Sequence, residues 1–332
     1  VQGFYIDSNE VGKQRSWLLG DILHSRPVVF NYSSYTLDQE NDCSENISVI
    51  YVGANDGMIH AFRDCDGREM WAFIPPQFLN QLEASTDGSH QYFADAPPVA
   101  YVHDADNDGI IEAIDPSNQT GDRVVLVFGL RRGGSSDDLA YAGPWGGYLG
   151  LDVSIPEQPE LLFSVDSSVT GLEEMGQSWS QPRLSKVKVG GEDKVVAFVT
   201  GGYDKYEDLR FGQTQEFPTL SAGTTVPYQV DDAGVSVLNV GATSAGGVAA
   251  GSSAYNRGGA MYAIEVASLT GTAPNLMPDT SDAGDVVWSY DHSGSNSTNN
   301  NADLDYSIAS DMTVGDLNSD GYTDVIYVGD TG

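Results

Sequence analysis

Short apolar runs rich in Val, Ile, Tyr and Phe, separated by Gly, Asp and Asn, set the pattern of this chain. Val49-Ile50-Tyr51-Val52-Gly53 and Met58-Ile59-His60-Ala61-Phe62 surround Asn55-Asp56-Gly57, a hairpin signal. Asp66-Gly67 turns again, and Glu69-Met70-Trp71-Ala72-Phe73 follows, so three strands in a meander are expected. Further strands are expected at 123–129, 147–153, 159–165, 194–202, 258–266, 285–290 and 325–329. Pro27, which has no N–H to give a ladder, makes Val28-Val29-Phe30 an edge strand or a strand start. Helical periodicity is scarce, and residues 76–82 are the short helix candidate. The expected class is all-β.

The runs recur as a unit. An apolar strand ends in Gly, a turn follows, then a strand with aromatic or branched residues, then one carrying Trp or Phe. Gly53, Gly129, Gly201 and Gly329 mark the successive units. Their spacing exceeds the ~40–50 residues of ordinary propeller blades, so insertions are required. Residues 203–257 and 291–306, rich in Gly, Ser, Thr, Asn and Asp, fit that role. A sheet alone cannot bury both faces, whereas radial stacking buries them and protects most edges. The expected architecture is one β-propeller domain over 1–332 with long insertions between strands; a β-sandwich is the alternative, but it leaves the repeat unexplained. The chain starts at Val1 and ends at Gly332 just after a strand, which reads as a piece of a longer protein whose last blade is incomplete in this chain or supplied from elsewhere.

Charge narrows the partners. Against 48 acidic residues stand only 15 Lys and Arg, for a formal net charge of −33. That field repels nucleic acid and anionic membranes and suits a soluble, secreted protein. No apolar run approaches the ~18–20 residues needed to span a bilayer as a helix. Cys43 and Cys65 flank the strand run 48–62, and a disulfide in an oxidising compartment is the favoured reading over two free thiols. The Gly-rich stretch 129–150 lacks the Lys-Ser or Lys-Thr ending of a phosphate loop. The five histidines, His24, His60, His90, His103 and His292, are scattered, and no nucleophile–base pair stands out.

Two short segments carry specific chemistry. Asp316-Leu317-Asn318-Ser319-Asp320-Gly321-Tyr322-Thr323-Asp324 alternates oxygen-bearing side chains, then turns at Gly. Calcium takes six to eight oxygen ligands, and this spacing offers them from Asp316, Asn318, Asp320, the Tyr322 carbonyl and Asp324. A strand follows where an EF-hand would enter a helix, so this is a calcium loop feeding a sheet. Asp104, Asp106, Asp108, the Ile110 carbonyl and Glu112 repeat the pattern around Gly109, with Asp115 as an additional donor. The alternative for both is a solvated acidic turn.

Several segments together resemble the C-terminal domain of the PilY/PilC family of type IV pilus tip-associated proteins. They are residues 19–28, the string Tyr51-Val52-Gly53-Ala54-Asn55-Asp56-Gly57-Met58-Ile59-His60-Ala61-Phe62, residues 71–75, residues 147–153 and the loop 316–324. The resemblance implies a modified, quinoprotein-like β-propeller on the minor-pilin complex at the pilus tip, outside a bacterial cell. It implies roles in pilus assembly, opposition to retraction and attachment to a surface ligand that the sequence does not name. It maps family calcium binding onto Asp316, Asn318, Asp320, Tyr322 and Asp324, with Asn318 where many members have Asp; the 104–112 loop stands on its spacing alone. A quinone-dependent dehydrogenase is the enzymatic alternative, weakened by the absence of a vicinal Cys pair. A carbohydrate-binding propeller is another, with Trp145, Trp179 and Tyr203 as stacking aromatics against their reading as core residues.

Overall fold

The computed structural model describes residues 19–33, 42–44, 46–79, 91–111, 121–134, 144–204, 257–272, 275–291, 304 and 306–331. Within them the chain is all-β and its strand pairs are antiparallel. The first sheet runs β1 (Val28–Asn31), β2 (Ser48–Gly53), β3 (Ile59–Arg63), β4 (Glu69–Phe73) in that order. The second runs β5 (Val99–His103), β6 (Arg123–Gly129), β7 (Tyr148–Asp152), β8 (Glu160–Val165). The third contains β9 (Arg183–Val189), β10 (Glu192–Thr200) and β11 (Ala260–Thr272), and β11 pairs with both β12 (Asn275–Asp279) and β13 (Val286–Asp291). β14 (Thr313–Gly315) and β15 (Val325–Tyr327) form a two-stranded sheet. Of the helix candidate at 76–82, the described residues form a single 3-10 turn, Pro76–Phe78, opened by a proline in its first turn; 80–82 lie outside the described residues.

The first two sheets have four strands where the sequence pattern suggests three, and among the described residues the third has five and the last two. The added strand comes first: β1, β5, β9 and β14 each precede a strand that leads to a marker glycine. β9 and β14, with β12, escape the hydrophobic pattern for physical reasons. Arg183-Leu184-Ser185-Lys186-Val187-Lys188-Val189 is a half-exposed edge strand, and β14 has only three residues.

Strands in the middle of the fold are apolar on both faces. From β6, Val124, Leu126 and Phe128 join Val49, Tyr51, Ile59 and Ala61 of the first sheet, while Val125 and Val127 join Val195, Ala197, Tyr262 and Ile264 of the third. β10 repeats the device: Val196 and Phe198 turn the other way, to Val314 and Ile326 of the last sheet. The four sheets thus pack face to face in chain order. A strand buried on both sides must read as a continuous apolar run, which is why 123–129 and 194–200 stand out in the sequence.

The links between sheets explain the marker glycines. A Cβ on Gly53 would fall on the Ala94 carbonyl, where the chain crosses into the second sheet, and one on Gly129 would lie 2.9 Å from the Ser178 carbonyl, on the way to the third. Serines just before three of the first strands tie down the same strand ends. Ser25 Oγ accepts the Gly53 N–H at 2.9 Å, Ser180 Oγ accepts the Thr200 N–H at 3.0 Å, and Ser310 Oγ donates to the Gly329 carbonyl at 2.7 Å.

Polar contacts fix the first sheet. The Cys43–Cys65 disulfide forms, with Cα atoms 5.5 Å apart, joining the β1–β2 connection to the β3–β4 turn. His60 is buried between two carboxylates: Nδ1 lies 2.6 Å from Glu69 and Nε2 lies 3.1 Å from Asp56 Oδ2. Asp56 also accepts the Gly20 N–H at 2.8 Å, which holds the incoming chain against the hairpin. Burial works against the imidazolium, but hydrogen bonds and charge from Asp56 and Glu69 outweigh it and raise the His60 pKa.

Two expectations follow from this architecture. Gly53→Ala, which sets a methyl against fixed backbone, should destabilise by roughly 1–3 kcal/mol, read as a lower urea midpoint at unchanged slope; an unaltered midpoint would show that the crossing chain yields freely. His60 has a raised folded pKa, so its contribution is fully present below the unfolded histidine value of about 6.5 and is lost as pH rises through the folded value. Thermal melts of wild type and His60→Gln from acidic to alkaline pH should converge as pH rises. A gap that is constant or widens with pH would contradict the charged-histidine assignment.

Candidate metal centre

Both acidic loops occupy the same place in the repeat. The 104–112 loop leaves β5 toward β6, and the 316–324 loop joins β14 to β15, so each leads from the first to the second strand of its sheet. In the third sheet that connection is the tight Gly190-Gly191 turn between β9 and β10.

The two loops also share one backbone. In the first, Asp104 Oδ1 accepts the Asn107 N–H at 2.7 Å and Oδ2 the Gly109 N–H at 2.8 Å. Asp106 then accepts the Asp108 N–H at 3.2 Å, and Asp108 the Ile110 N–H at 2.7 Å. In the second, Asp316 Oδ1 accepts the Ser319 N–H at 2.6 Å and Oδ2 the Gly321 N–H at 2.7 Å. Asn318 accepts the Asp320 N–H at 2.9 Å, and Asp320 the Tyr322 N–H at 2.9 Å. Asn107 and Ser319 take matching left-handed conformations, φ 59° and 63°, as do Gly109 and Gly321, φ 82° and 87°. Neither glycine has a neighbour where a Cβ would sit, so it is the positive φ that favours glycine there.

These N–H donors organise the carboxylates electrostatically. The Asp104 carboxyl is held below its usual range, first by the Gly109 N–H, and Asp316 likewise, first by the Gly321 N–H. Asp104, Asp106 and Asp108 each bring a carboxylate oxygen within 4.8 Å of the others. In the second loop the middle position is the neutral Asn318, whose Nδ2 donates to Asp320 at 3.1 Å. Asp324 closes that loop by accepting the N–H groups of Leu317 at 2.8 Å and Asn318 at 3.3 Å. Ile110 and Tyr322 stand at the carbonyl-donating position of each loop. Glu112 and Asp115 lie outside the described residues. Carboxylate and carbonyl oxygens gathered in a tight turn, with no nitrogen or sulfur donor in the set, suit a hard dication.

One residue outside the spacing pattern supports the first loop. Asp122, buried just before β6, accepts the Ala105 N–H at 2.7 Å and so ties the start of the loop to its far end. Only its distant position in sequence hides it.

The remaining candidates separate. Trp145 is 1% exposed and cannot stack on a sugar; it is a core residue. Trp179 packs against Tyr203 at 5.0 Å and under Arg131 at 4.5 Å, so protein groups already contact this ring. His24 bonds the buried Asp95 at 2.7 Å rather than any catalytic partner. His90, His292 and most of the expected insertions, 205–256 and 292–303, lie outside the described residues. Among the described residues no helix is long and apolar enough to cross a membrane.

No protein-family model matches the chain. Type IV pilus biogenesis factor PilY1 of Pseudomonas aeruginosa strain UCBPP-PA14 is 32% identical over 215 residues, which is 59% of this chain and 16% of that protein. A PilY1 homolog of Xylella fastidiosa strain Temecula1 is 30% identical over 206 residues, 55% of this chain and 14% of that protein. The chain thus spans a small part of the length of the curated relatives it matches. The crystal structure of the Pseudomonas aeruginosa PilY1 C-terminal domain aligns with 91% of this chain and 43% of that one, at a TM-score of 0.44 and 22% identity. These sequence relatives support the resemblance to the PilY/PilC family.

Proposed function

We propose that the chain is a calcium-ordered, quinoprotein-like β-propeller that acts at the tip of a type IV pilus, outside the cell, in pilus assembly, retraction control and adhesion to a surface. The observation that carries this reading is the pair of loops with one hydrogen-bonding plan at one position of the repeat. The chain-order stacking of sheets that are apolar on both faces supports the propeller reading. The pilus setting rests on the relatives, which are named as type IV pilus biogenesis factors. The disulfide fits an oxidising, extracellular location. The minor pilins of the tip complex are the proposed protein partners.

Calcium would be held in the second loop by side-chain oxygens of Asp316, Asn318, Asp320 and Asp324 and by the Tyr322 carbonyl. In the first it would be held by Asp104, Asp106, Asp108 and Glu112 and by the Ile110 carbonyl. The ion supplies charge neutralisation and fixes the turn; the chain supplies donors already oriented by N–H groups. The neutral Asn318 gives the second loop one charge fewer than the first, so it is the weaker site.

Calorimetry should find two calcium sites, one lost in Asp320→Ala and the other in Asp106→Ala. Calcium at about a hundred times its dissociation constant should add about 2.7 kcal/mol per site, and chelator should lower the melting temperature accordingly. Because the Asp104 and Asp316 carboxyls titrate below the ordinary range, binding should persist into mildly acidic buffer. No heat of binding at millimolar calcium would return both loops to the status of acidic surface turns.

A further inference from the structure

One contact recurs in both loops and belongs to neither loop alone. At the eighth loop position, the Ile111 N–H donates to the Tyr32 carbonyl at 3.0 Å, and the Thr323 N–H donates to the Lys186 carbonyl at 2.9 Å. Tyr32 directly follows β1 and Lys186 lies within β9. Each loop therefore reaches across to the first strand of the preceding sheet.

A trans peptide is planar, with its C=O and N–H pointing in opposite directions. The N–H of residue 111 belongs to the same peptide unit as the Ile110 carbonyl, and that of residue 323 to the same unit as the Tyr322 carbonyl. Fixing the N–H on the preceding sheet therefore fixes the direction of the carbonyl that the metal needs. We propose that the first strand of each preceding sheet is a positioning element of the metal site, so that cation binding and the docking of successive sheets are one linked event. This rests on the calcium reading of the loops.

The supports on either side are rigid. Tyr32 is buried, and its hydroxyl bonds Tyr51 at 2.7 Å and the Val153 carbonyl at 2.7 Å, so the carbonyl that receives Ile111 is held by both sheets. Ile111 itself packs on the core between the first and second sheets. At the second loop, Ser185 Oγ and Thr323 Oγ1 lie 2.6 Å apart, and Lys188 Nζ sits 4.4 Å from the centre of the Tyr322 ring. β9 is an edge strand, and the loop covers part of its free edge. Ser185, Lys186 and Lys188 are far from the loop in sequence and follow no ligand spacing, so a motif search passes over them.

Terbium tests this, because a tyrosine at the carbonyl position sensitises its luminescence; Tyr322 fills that position in the second loop and Ile110 in the first. Tyr322→Phe identifies the signal. Ser185→Ala and Thr323→Val should each weaken terbium and calcium at the second loop by roughly tenfold, the scale of outer-shell losses at metal sites. Thr323→Ser, which keeps the hydroxyl, should restore wild-type affinity, and calorimetric binding at the first loop should not change. Metal should also slow hydrogen exchange of the Thr323 and Ile111 amides, by reciprocity of linkage. Unchanged affinity in both variants would overturn the positioning role and leave the calcium reading intact. Absence of both Tyr322 luminescence and calorimetric binding in wild type would remove both.

Discussion

The fold depends on strands that are apolar on both faces. β6 and β10 present a row of Val, Leu and Phe side chains on each side, and a sheet built around such a strand is unstable until both sides are covered. Burial at roughly 25 cal/mol per Å² favours stacking sheet on sheet. Stacking in chain order keeps the crossings short. The crossings then impose the small residues: Gly53 and Gly129 sit where the next segment passes too close for a side chain. Serines at three of the strand entrances satisfy the strand ends left open by the crossings. From one packing demand the repeat acquires both its glycines and its hydroxyls.

This arrangement gives the acidic loops their setting. Each loop leads from a first strand, and β9, the first strand of the third sheet, lies against both β5 and β14. A loop leaving such a strand lies within reach of the preceding sheet's backbone. The eighth-position N–H finds a carbonyl there, so a local turn also becomes a contact between sheets. Local geometry is shared by the two loops because Asp at position one, Gly at position six and an oxygen acceptor at positions three and five demand the same turn, whichever side chains fill the gaps.

How much of this the sequence carries depends on what signal each feature leaves. Continuous apolar runs exposed β2, β6, β10 and the start of β11, and the Asn55-Asp56-Gly57 turn fixed the first hairpin. The alternating Asp and Asn positions marked both loops. β9 was hidden because its lysines break the apolar pattern at an edge, and β14 because three residues leave no period. With those strands unread, the equivalence of the two loops was invisible, although the residues of each were in plain view. Asp122 and Ser185 were beyond reach for another reason: the partner of Asp122 sits at the other end of the β5–β6 connection and that of Ser185 in the neighbouring sheet, and no ligand spacing encodes either. Trp145 shows the converse, since an aromatic in a Gly-rich stretch looks available until packing places it in the core.

Charge supplies the last step. Much of the sparse positive charge in the described residues is committed within the sheets. Arg123 pairs with Asp152 at 2.8 Å, Lys194 with the buried Glu265 at 2.7 Å, Arg183 with Asp311 at 3.4 Å and Lys188 with Asp193 at 3.3 Å. The protein thus spends its cations on strands, where an unpaired carboxylate such as Glu265 would be costly to bury. The first loop brings three carboxylate oxygens together, and backbone N–H groups of the loop donate to them. Dipoles oriented in this way hold carboxylates in place but leave their net charge uncompensated. A small dication with a preference for oxygen, as proposed for this loop, would compensate it in one binding event, without the desolvation of a lysine or the entropy of ordering a long side chain. In a chain of net charge −33 the long-range field would add to that attraction, and salt would weaken the field far more than the contacts inside the loop.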